Sequence, residues 1–208
     1  MGPATITSVS RSHYFSGTAV KSAGDHWSYG IYSGLSSSSY QNIDFELYGG
    51  PAVEYNVFPY AECTRRELRV LYRILCVREC YLAETIYGKT EEDLFKERLS
   101  IEYMVKEPWG SITTSVLGSH YFHDFDKNRL TFYCDLSLGL VRGFSLTLSG
   151  NVSMIHDLLS PTRGATSQED LLLRRRQLDT QYSYFVSFGF QYSFGSIYSN
   201  VVNPRFGS

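Results

Sequence analysis

Residues 182–194 read Tyr-Ser-Tyr-Phe-Val-Ser-Phe-Gly-Phe-Gln-Tyr-Ser-Phe, and an apolar or aromatic side chain occupies every even position. Side chains alternate between the two sides of a β-strand, so one face of this segment is wholly apolar and the other is nearly all small or polar. Strands of soluble proteins usually end after about five or six residues. The length of the segment therefore favours a membrane-spanning strand over a long amphipathic strand of a soluble sandwich.

The same alternation recurs upstream and predicts about nine antiparallel strands. A helical period is convincing only within 168–178, inside a connection. The sequence thus predicts an all-β fold, an antiparallel up-and-down transmembrane β-barrel, with residues 1–208 forming one domain. The predicted strands cover residues 5–22, 26–38, 42–58, 66–80, 97–107, 110–122, 128–141, 143–157 and 180–195.

The predicted connections differ in length between the two ends of the sheet. Outer-membrane barrels have short periplasmic turns and longer extracellular loops, so 81–96 and 158–179 are expected to be extracellular and protease-sensitive. Trp27 and Trp109 fall at the short-turn end, where an aromatic girdle belongs. The connections are 23–25, 59–65, 107–109 and 142–143 at one end and 39–41, 81–96, 123–127 and 158–179 at the other.

Composition agrees with this interpretation and narrows the function classes. The chain has 17 Tyr and 17 Gly residues, a composition that suits antiparallel β structure better than a helical bundle. A net charge of −2 gives no general attraction to nucleic acid. The chain starts Met1-Gly2-Pro3, without the basic start and apolar core of a secretion signal. A barrel that reaches the outer membrane needs such a signal, so we expect either that this sequence is a fragment of a longer chain or that the membrane interpretation is wrong.

Charged residues on the polar faces of neighbouring strands are candidates for the inside of the barrel. One interpretation is a charged constriction that selects small solutes. The other is a cross-strand ladder of ion pairs that fills the lumen and holds the register of the strands. The candidate lumen charges are Asp44, Glu46, Glu54, Arg69, Arg73, Glu102 and Lys106.

No motif for catalysis, a metal or a cofactor stands out, and none is assigned. His123 and His156 lie at strand ends with Asp124, Asp126 and Asp157 nearby, which leaves a metal or acid/base site at the rim as an alternative to solvated loop residues. Cys76 and Cys80 would be about 13 Å apart on one strand, too far for a disulfide or a shared metal. We expect all four cysteines, which include Cys63 and Cys134, to be free thiols.

Several motifs together resemble the C-terminal barrel of a little-characterised outer-membrane family of Gram-negative bacteria. The resemblance runs from about residue 5 to residue 206 and implies a twelve-stranded barrel preceded by further strands and a periplasmic N-terminal region. The cysteines depart from that family, whose members mostly lack them. The motifs are Pro51-Ala-Val-Glu-Tyr-Asn-Val-Phe-Pro-Tyr60, Glu84-Thr-Ile-Tyr-Gly-Lys-Thr90, Pro108-Trp-Gly-Ser111, His123-Asp-Phe-Asp-Lys-Asn-Arg129 and Phe194-Gly-Ser-Ile-Tyr-Ser-Asn-Val-Val-Asn-Pro-Arg-Phe206.

The expected function is a membrane scaffold or narrow pore of the bacterial outer membrane, without enzymatic activity. The expected partners are outer-membrane lipid and lipopolysaccharide or another membrane or periplasmic protein, with no nucleic acid. The run Arg174-Arg175-Arg176 is a candidate contact for lipopolysaccharide phosphates, against a solvated loop. Two alternatives remain open: an outer-membrane hydrolase with its site at the rim, and a soluble β-barrel or sandwich that binds a ligand.

Overall fold

The computed structural model describes residues 10–141, 143–163 and 181–194. This part of the chain forms nine β-strands and one short 3₁₀ turn at Tyr60–Glu62. No helix within it is long and apolar enough to cross a membrane. The strands are β1 Ser12–Ser22, β2 Trp27–Ser38, β3 Ile43–Asn56, β4 Arg66–Tyr81, β5 Glu91–Glu107, β6 Gly110–Tyr121, β7 Asp124–Val141, β8 Phe144–Ile155 and β9 Gln181–Tyr192.

All nine strands belong to one antiparallel sheet in which each strand pairs with its neighbours in the sequence. The predicted all-β, up-and-down arrangement and the number of strands are therefore confirmed. In the described residues the order runs from β1 to β9 without a ladder between those two strands, so the sheet is not closed. The helical pattern at 168–178 and the start of the first predicted strand, residues 5–9, lie outside the described part.

Three predicted boundaries differ from the structure by four residues or more. β1 begins at Ser12, β7 at Asp124, and β5 begins at Glu91 rather than at residue 97. The missed part of β5, residues 91–96, carries four charged side chains and reads as a loop. It pairs with the end of β4, where Arg78 binds Glu91 and Asp93 at 3.0 and 3.3 Å. The predicted loop 81–96 is thus reduced to residues 82–90.

Register places the alternating apolar positions that the sequence identified in the nine strands on the same side of the sheet. Directly paired residues on adjacent strands point to one side. Phe188 pairs with Leu148, Leu148 with Leu136, and Leu136 with Ile112. Through the ladders of β5 and β4, the same side of the sheet continues to Val53 on β3 and Ile31 on β2. The predicted alternation of residues 182–194 is confirmed, and we name this apolar side the outer face.

The opposite side, the concave face, curves around a common cavity. Residues from β1 to β6 all line this cavity, from Tyr14 on β1 to Tyr121 on β6, which requires the sheet to curl. The concave side chains of the central strands are largely buried, whereas their outer-face neighbours are exposed. The hydrophobic cluster of buried residues at the concave face consists of Leu75, Val77, Leu94, Tyr121 and Leu159.

One glycine allows two strands to approach closely. A Cβ atom on Gly50 would lie 1.9 Å from the carbonyl oxygen of Ile74 on β4. The next residue, Pro51, has no N–H to donate, and Gly50 and Pro51 form no ladder pairs with β4, although the register is the same on both sides of them. On the outer face of β6, a Cβ atom on Gly118 would meet nothing within 4 Å.

We predict that Gly50→Ala lowers the free energy of unfolding by about 1–3 kcal/mol or more, because the backbone of β4 must shift. The matched change Gly118→Ala should alter it by less than about 0.5 kcal/mol. Urea unfolding followed by circular dichroism measures both. Similar values for the two variants would show that the close approach of β3 and β4 is wrong.

Candidate functional site

Charges on the concave face lie in rows that cross the strands. Toward the loop end, Glu46, Glu79 and Glu92 are successive cross-strand neighbours on β3, β4 and β5, and we name them the acidic row. The Tyr81 hydroxyl lies 2.6 Å from Glu79 and 2.5 Å from Glu92. Like charges directly opposite each other repel, and this bridging hydroxyl offsets part of that repulsion.

A second row contains two arginines. Arg73 on β4 pairs directly with Arg98 on β5, and Arg98 pairs with Ser119 on β6. We name these three residues the arginine row. The Arg73 guanidinium carbon lies 4.2 Å from the centre of the Tyr32 ring, a cation–π distance. The Nε atoms of both arginines and the Ser119 hydroxyl are buried without a hydrogen-bond partner in the described structure.

One carboxylate binds two cations next to the arginine row. Asp157 follows β8, and its side chain is only 4% exposed. It accepts a hydrogen bond of 3.1 Å from Lys96 Nζ and one of 2.9 Å from Arg129 Nε. Lys96 Nζ also lies 4.6 Å from the centre of the Tyr121 ring. Asp157 therefore fixes the position of two concave-face cations that would otherwise lack a counter-charge.

The short-turn end carries paired charges instead of like-charge rows. Arg69 donates to Glu102 at 2.6 Å, and its Nε lies 3.3 Å from Glu67. The Tyr60 hydroxyl lies 2.8 Å from Ser28 Oγ and donates to Glu54 at 3.0 Å. Burial raises the pKa of Tyr60, and the Glu54 carboxylate raises it further, so the phenol stays protonated at neutral pH. These pairs suit a structural ladder that holds the strands together.

The cavity lies between these two ends and has a volume of about 420 Å³. Its wall combines aromatic hydroxyls with charges, and Tyr14 on β1 approaches Tyr48 on β3 with 3.0 Å between the two hydroxyl oxygens. A lining of this kind suits a small polar or charged solute better than an apolar one. The charged residues in the wall are Glu46, Arg73, Glu79, Lys96 and Arg98.

The structure places the predicted lumen charges in different parts of the concave face. Glu46 and Arg73 line the cavity, whereas Glu54, Arg69 and Glu102 form the pairs at the short-turn end. Asp44 lies at the irregularity between Ile43 and Phe45 and is exposed, and Lys106 is exposed near the end of β5. The seven residues therefore do not form one site.

Sequence reasoning missed most of the cavity charges. Glu92 and Lys96 lie in the part of β5 that was predicted to be a loop, and Arg98 follows them on the same face. The alternation of Glu92, Leu94, Lys96 and Arg98 is the signal that could have revealed them. Asp157 binds Lys96 although the two residues are 61 positions apart in the sequence, so no local sequence pattern could predict this contact.

Loops cover the loop end of the concave face. The Asn42 side chain donates to the carbonyl oxygens of Ala83 and Ser160, both at 2.9 Å, and accepts from Ala83 N–H. Asn42 has a φ of 61°, a conformation that asparagine tolerates better than most residues. Thr85 and Ile86 are almost fully buried. Residues 82–90 and 156–163, which we name the loop-end cover, are thus tied together. That both long loops are extracellular and protease-sensitive stays a prediction.

The histidines do not assemble the rim site that the sequence left open. His156 Nδ1 lies 3.2 Å from Asn128 Oδ1, and His123 contacts Tyr121. His120 Nε2 lies 2.5 Å from Glu97 on the outer face. In the described ranges no serine hydroxyl is hydrogen-bonded to a histidine, and no group of three or more His, Cys, Asp or Glu side chains could hold a metal ion.

The four cysteines are free, as predicted. Cys76, Cys80 and Cys134 follow the outer-face register, and Cys63 lies in the connection between β3 and β4. They contribute nothing to the cavity wall. Arg174, Arg175 and Arg176, the candidate lipopolysaccharide contact, lie outside the described residues.

No protein-family model, curated protein or solved structure matches this chain. The resemblance to an outer-membrane family, drawn from the sequence motifs, therefore stays a prediction.

We predict that Asp157→Asn lowers the free energy of unfolding by about 3–5 kcal/mol, because it leaves Lys96 and Arg129 without their shared counter-charge in a largely buried position. The matched change is Asp93→Asn, which removes a carboxylate from the exposed Arg78 and should have no measurable effect. Denaturant unfolding of both variants makes the comparison. Equal losses in the two variants would rule out a special role for Asp157.

Proposed function

We propose that this chain forms part of an outer-membrane β-barrel of Gram-negative bacteria and acts as a membrane scaffold or narrow pore. The observation that carries the proposal is the outer face, on which large apolar side chains are exposed along all nine strands. They include Phe15, Ile31, Leu47, Val53, Ile74, Phe95, Leu99, Ile101, Val116, Leu130, Phe132, Leu148, Val152, Val186, Phe188 and Phe190.

Such a surface requires an apolar environment. Burying one Val, Leu, Ile or Phe side chain is favourable by about 1.5–3 kcal/mol, and soluble monomers rarely expose apolar patches above a few hundred Å². A second sheet could supply the cover in a soluble sandwich, which is the alternative left open by the sequence. All the described strands, however, belong to the one sheet, and they have 11 to 18 residues. Lipid is therefore the cover that we favour.

The spacing of charges on the outer face agrees with the thickness of a membrane. On β5, four apolar residues from Leu99 to Val105 lie between Glu97 and Glu107. Ten residues extend about 33 Å along a strand. At a tilt of about 40° this length covers about 25 Å of membrane thickness, close to the apolar band of outer-membrane barrels. Glu97, which binds Tyr72 and His120, would then lie at the upper interface.

The edges of the sheet bear on how a barrel would close. Strands β1 and β9 each have one side without a paired strand in the described part. Unpaired N–H and C=O groups cost several kcal/mol each in hydrocarbon, so an open sheet cannot persist there. We propose that further strands, about three in the twelve-stranded barrel implied by the resemblance, lie between β9 and β1.

The concave face supports a scaffold or narrow pore rather than a wide channel. Tyrosine, arginine and glutamate side chains extend into the cavity, and the loop-end cover lies across one end. The proposed partners are outer-membrane lipid and, at the loop end, lipopolysaccharide or another membrane or periplasmic protein. No catalytic reaction forms part of the proposal.

We predict that Phe188→Arg lowers the free energy of unfolding in detergent or lipid by about 2–4 kcal/mol, because it places a charge on the lipid-facing side near mid-membrane. Its neighbour Ser187 has the opposite orientation, so Ser187→Arg should cost less. Urea titration in lipid vesicles measures the difference, on a chain that includes the further strands needed to close the barrel. Equal penalties, or a stable monomer that needs no detergent, would favour the soluble alternative.

A further inference from the structure

Unlike Arg69, Lys96 and Arg129 on the same face, the two cations of the arginine row have no carboxylate partner in the part of the chain that the structure describes. Among the described residues, neither Arg73 nor Arg98 has a carboxylate oxygen within 4.0 Å, although Arg69, four residues from Arg73 on the same face, has two acidic partners. Two guanidinium groups directly opposite each other on adjacent strands repel. A fold that needed these residues only for stability would be better served by one arginine and one carboxylate.

The hydrogen-bonding groups of the row point to the kind of ligand. Buried polar atoms normally have partners, yet three adjacent residues each leave one such atom without any: Nε of Arg73, Nε of Arg98 and the hydroxyl of Ser119. Both Nε atoms are donors, and the hydroxyl can also donate. Both arginines also line the cavity, so an acceptor-rich anion in the cavity can bind their guanidinium groups and supply the missing acceptors.

We propose that the cavity binds a small solute through a carboxylate or phosphate group held by Arg73 and Arg98, which both line it, with Ser119, the direct neighbour of Arg98, as an additional donor. The guanidinium fork matches the geometry of either oxyanion and can bind it with two parallel hydrogen bonds. Tyr32 holds the Arg73 guanidinium in place from the side, by the cation–π contact. The cavity of about 420 Å³ accommodates a molecule the size of a small organic acid or phosphate ester.

The other charges of the cavity are arranged in agreement with this site. Lys96 and Arg129 add two cations near the row, and Asp157 is the carboxylate that both of them bind. Glu79 of the acidic row lies six residues from Arg73 on the same strand, about 20 Å toward the loop end. Glu46 and Glu79 line the loop end of the same cavity, where they would repel an anion toward the arginine row.

The site does not depend on the membrane placement of the sheet, so the two proposals can fail separately. The experiment measures the thermal midpoint of the chain, in detergent micelles or in buffer if it folds there. Sodium phosphate, sodium succinate and sodium chloride are added at matched ionic strength. We expect a saturable rise with phosphate, with succinate or with both, and the effective anion identifies the group that the site prefers. A rise no larger than that with chloride would overturn the proposal.

Variants test the three residues individually. Arg98→Met keeps the length of the side chain and removes its charge, so it should raise the midpoint without added anion and weaken oxyanion binding at least about tenfold. Arg73→Met should act in the same direction. The matched control is Arg78→Gln, which removes an arginine from the outer-face register and should leave the oxyanion response unchanged.

Ser119→Ala removes only a hydroxyl, so it keeps the test decisive even if an arginine variant fails to fold. It should weaken oxyanion binding several-fold while the chloride response stays the same. An unchanged oxyanion response in Ser119→Ala and in the arginine variants that fold would show that the anion binds elsewhere. That result would exclude the arginine row as the site.

Discussion

Direct pairing of residues between adjacent strands is the constraint on which the rest of the structure depends. Because paired side chains point to the same side, the orientation of one strand determines the orientation of all nine. A slip of one residue in any ladder would exchange the apolar and polar faces of every strand beyond it. The four irregularities, at Ser36, Ile43, His120 and Gly139, lie near strand ends and leave the middle of the sheet in register. The apolar outer face is therefore continuous.

The same register has a cost on the concave face. It places Glu46, Glu79 and Glu92 next to one another, and it places Arg73 opposite Arg98. An alternating arrangement, like that of Arg69 and Glu102, would have been more favourable. The separation of charge into two rows around a cavity is thus better explained by a ligand than by stability. In the proposed barrel, a narrow lumen with this separation would distinguish solutes by the sign of their charge.

Much of the fold could be predicted from the sequence because alternation is a local signal. Residues 182–194 and their paired neighbours on β8 and β7 have clean apolar and polar faces, and the structure confirms their register. Residues 91–96 were missed because charges at the end of a strand look like a loop. The pair of Arg69 and Glu102 was accessible to the same reasoning, since both are concave-face positions of adjacent strands.

The cavity could not be predicted in the same way, since it depends on how strongly the sheet curls and on where the long connections return. Lys96 meets Asp157 over 61 residues, and Asn42 meets Ser160 over 118 residues. Neither contact leaves a periodic trace in the sequence. The loop-end cover also buries Thr85, Ile86 and Leu159, which no local pattern in the sequence indicated.

The central claim, that the outer face is in contact with lipid, is tested most directly by NMR transfer of magnetisation from lipid acyl chains to side-chain methyl groups. The informative comparison is between Leu99, Val116 and Leu148 on the outer face and Leu71 and Leu117 on the concave face. The account predicts strong transfer to the first group and none to the second. Equal transfer to both groups, or transfer to neither, would contradict it.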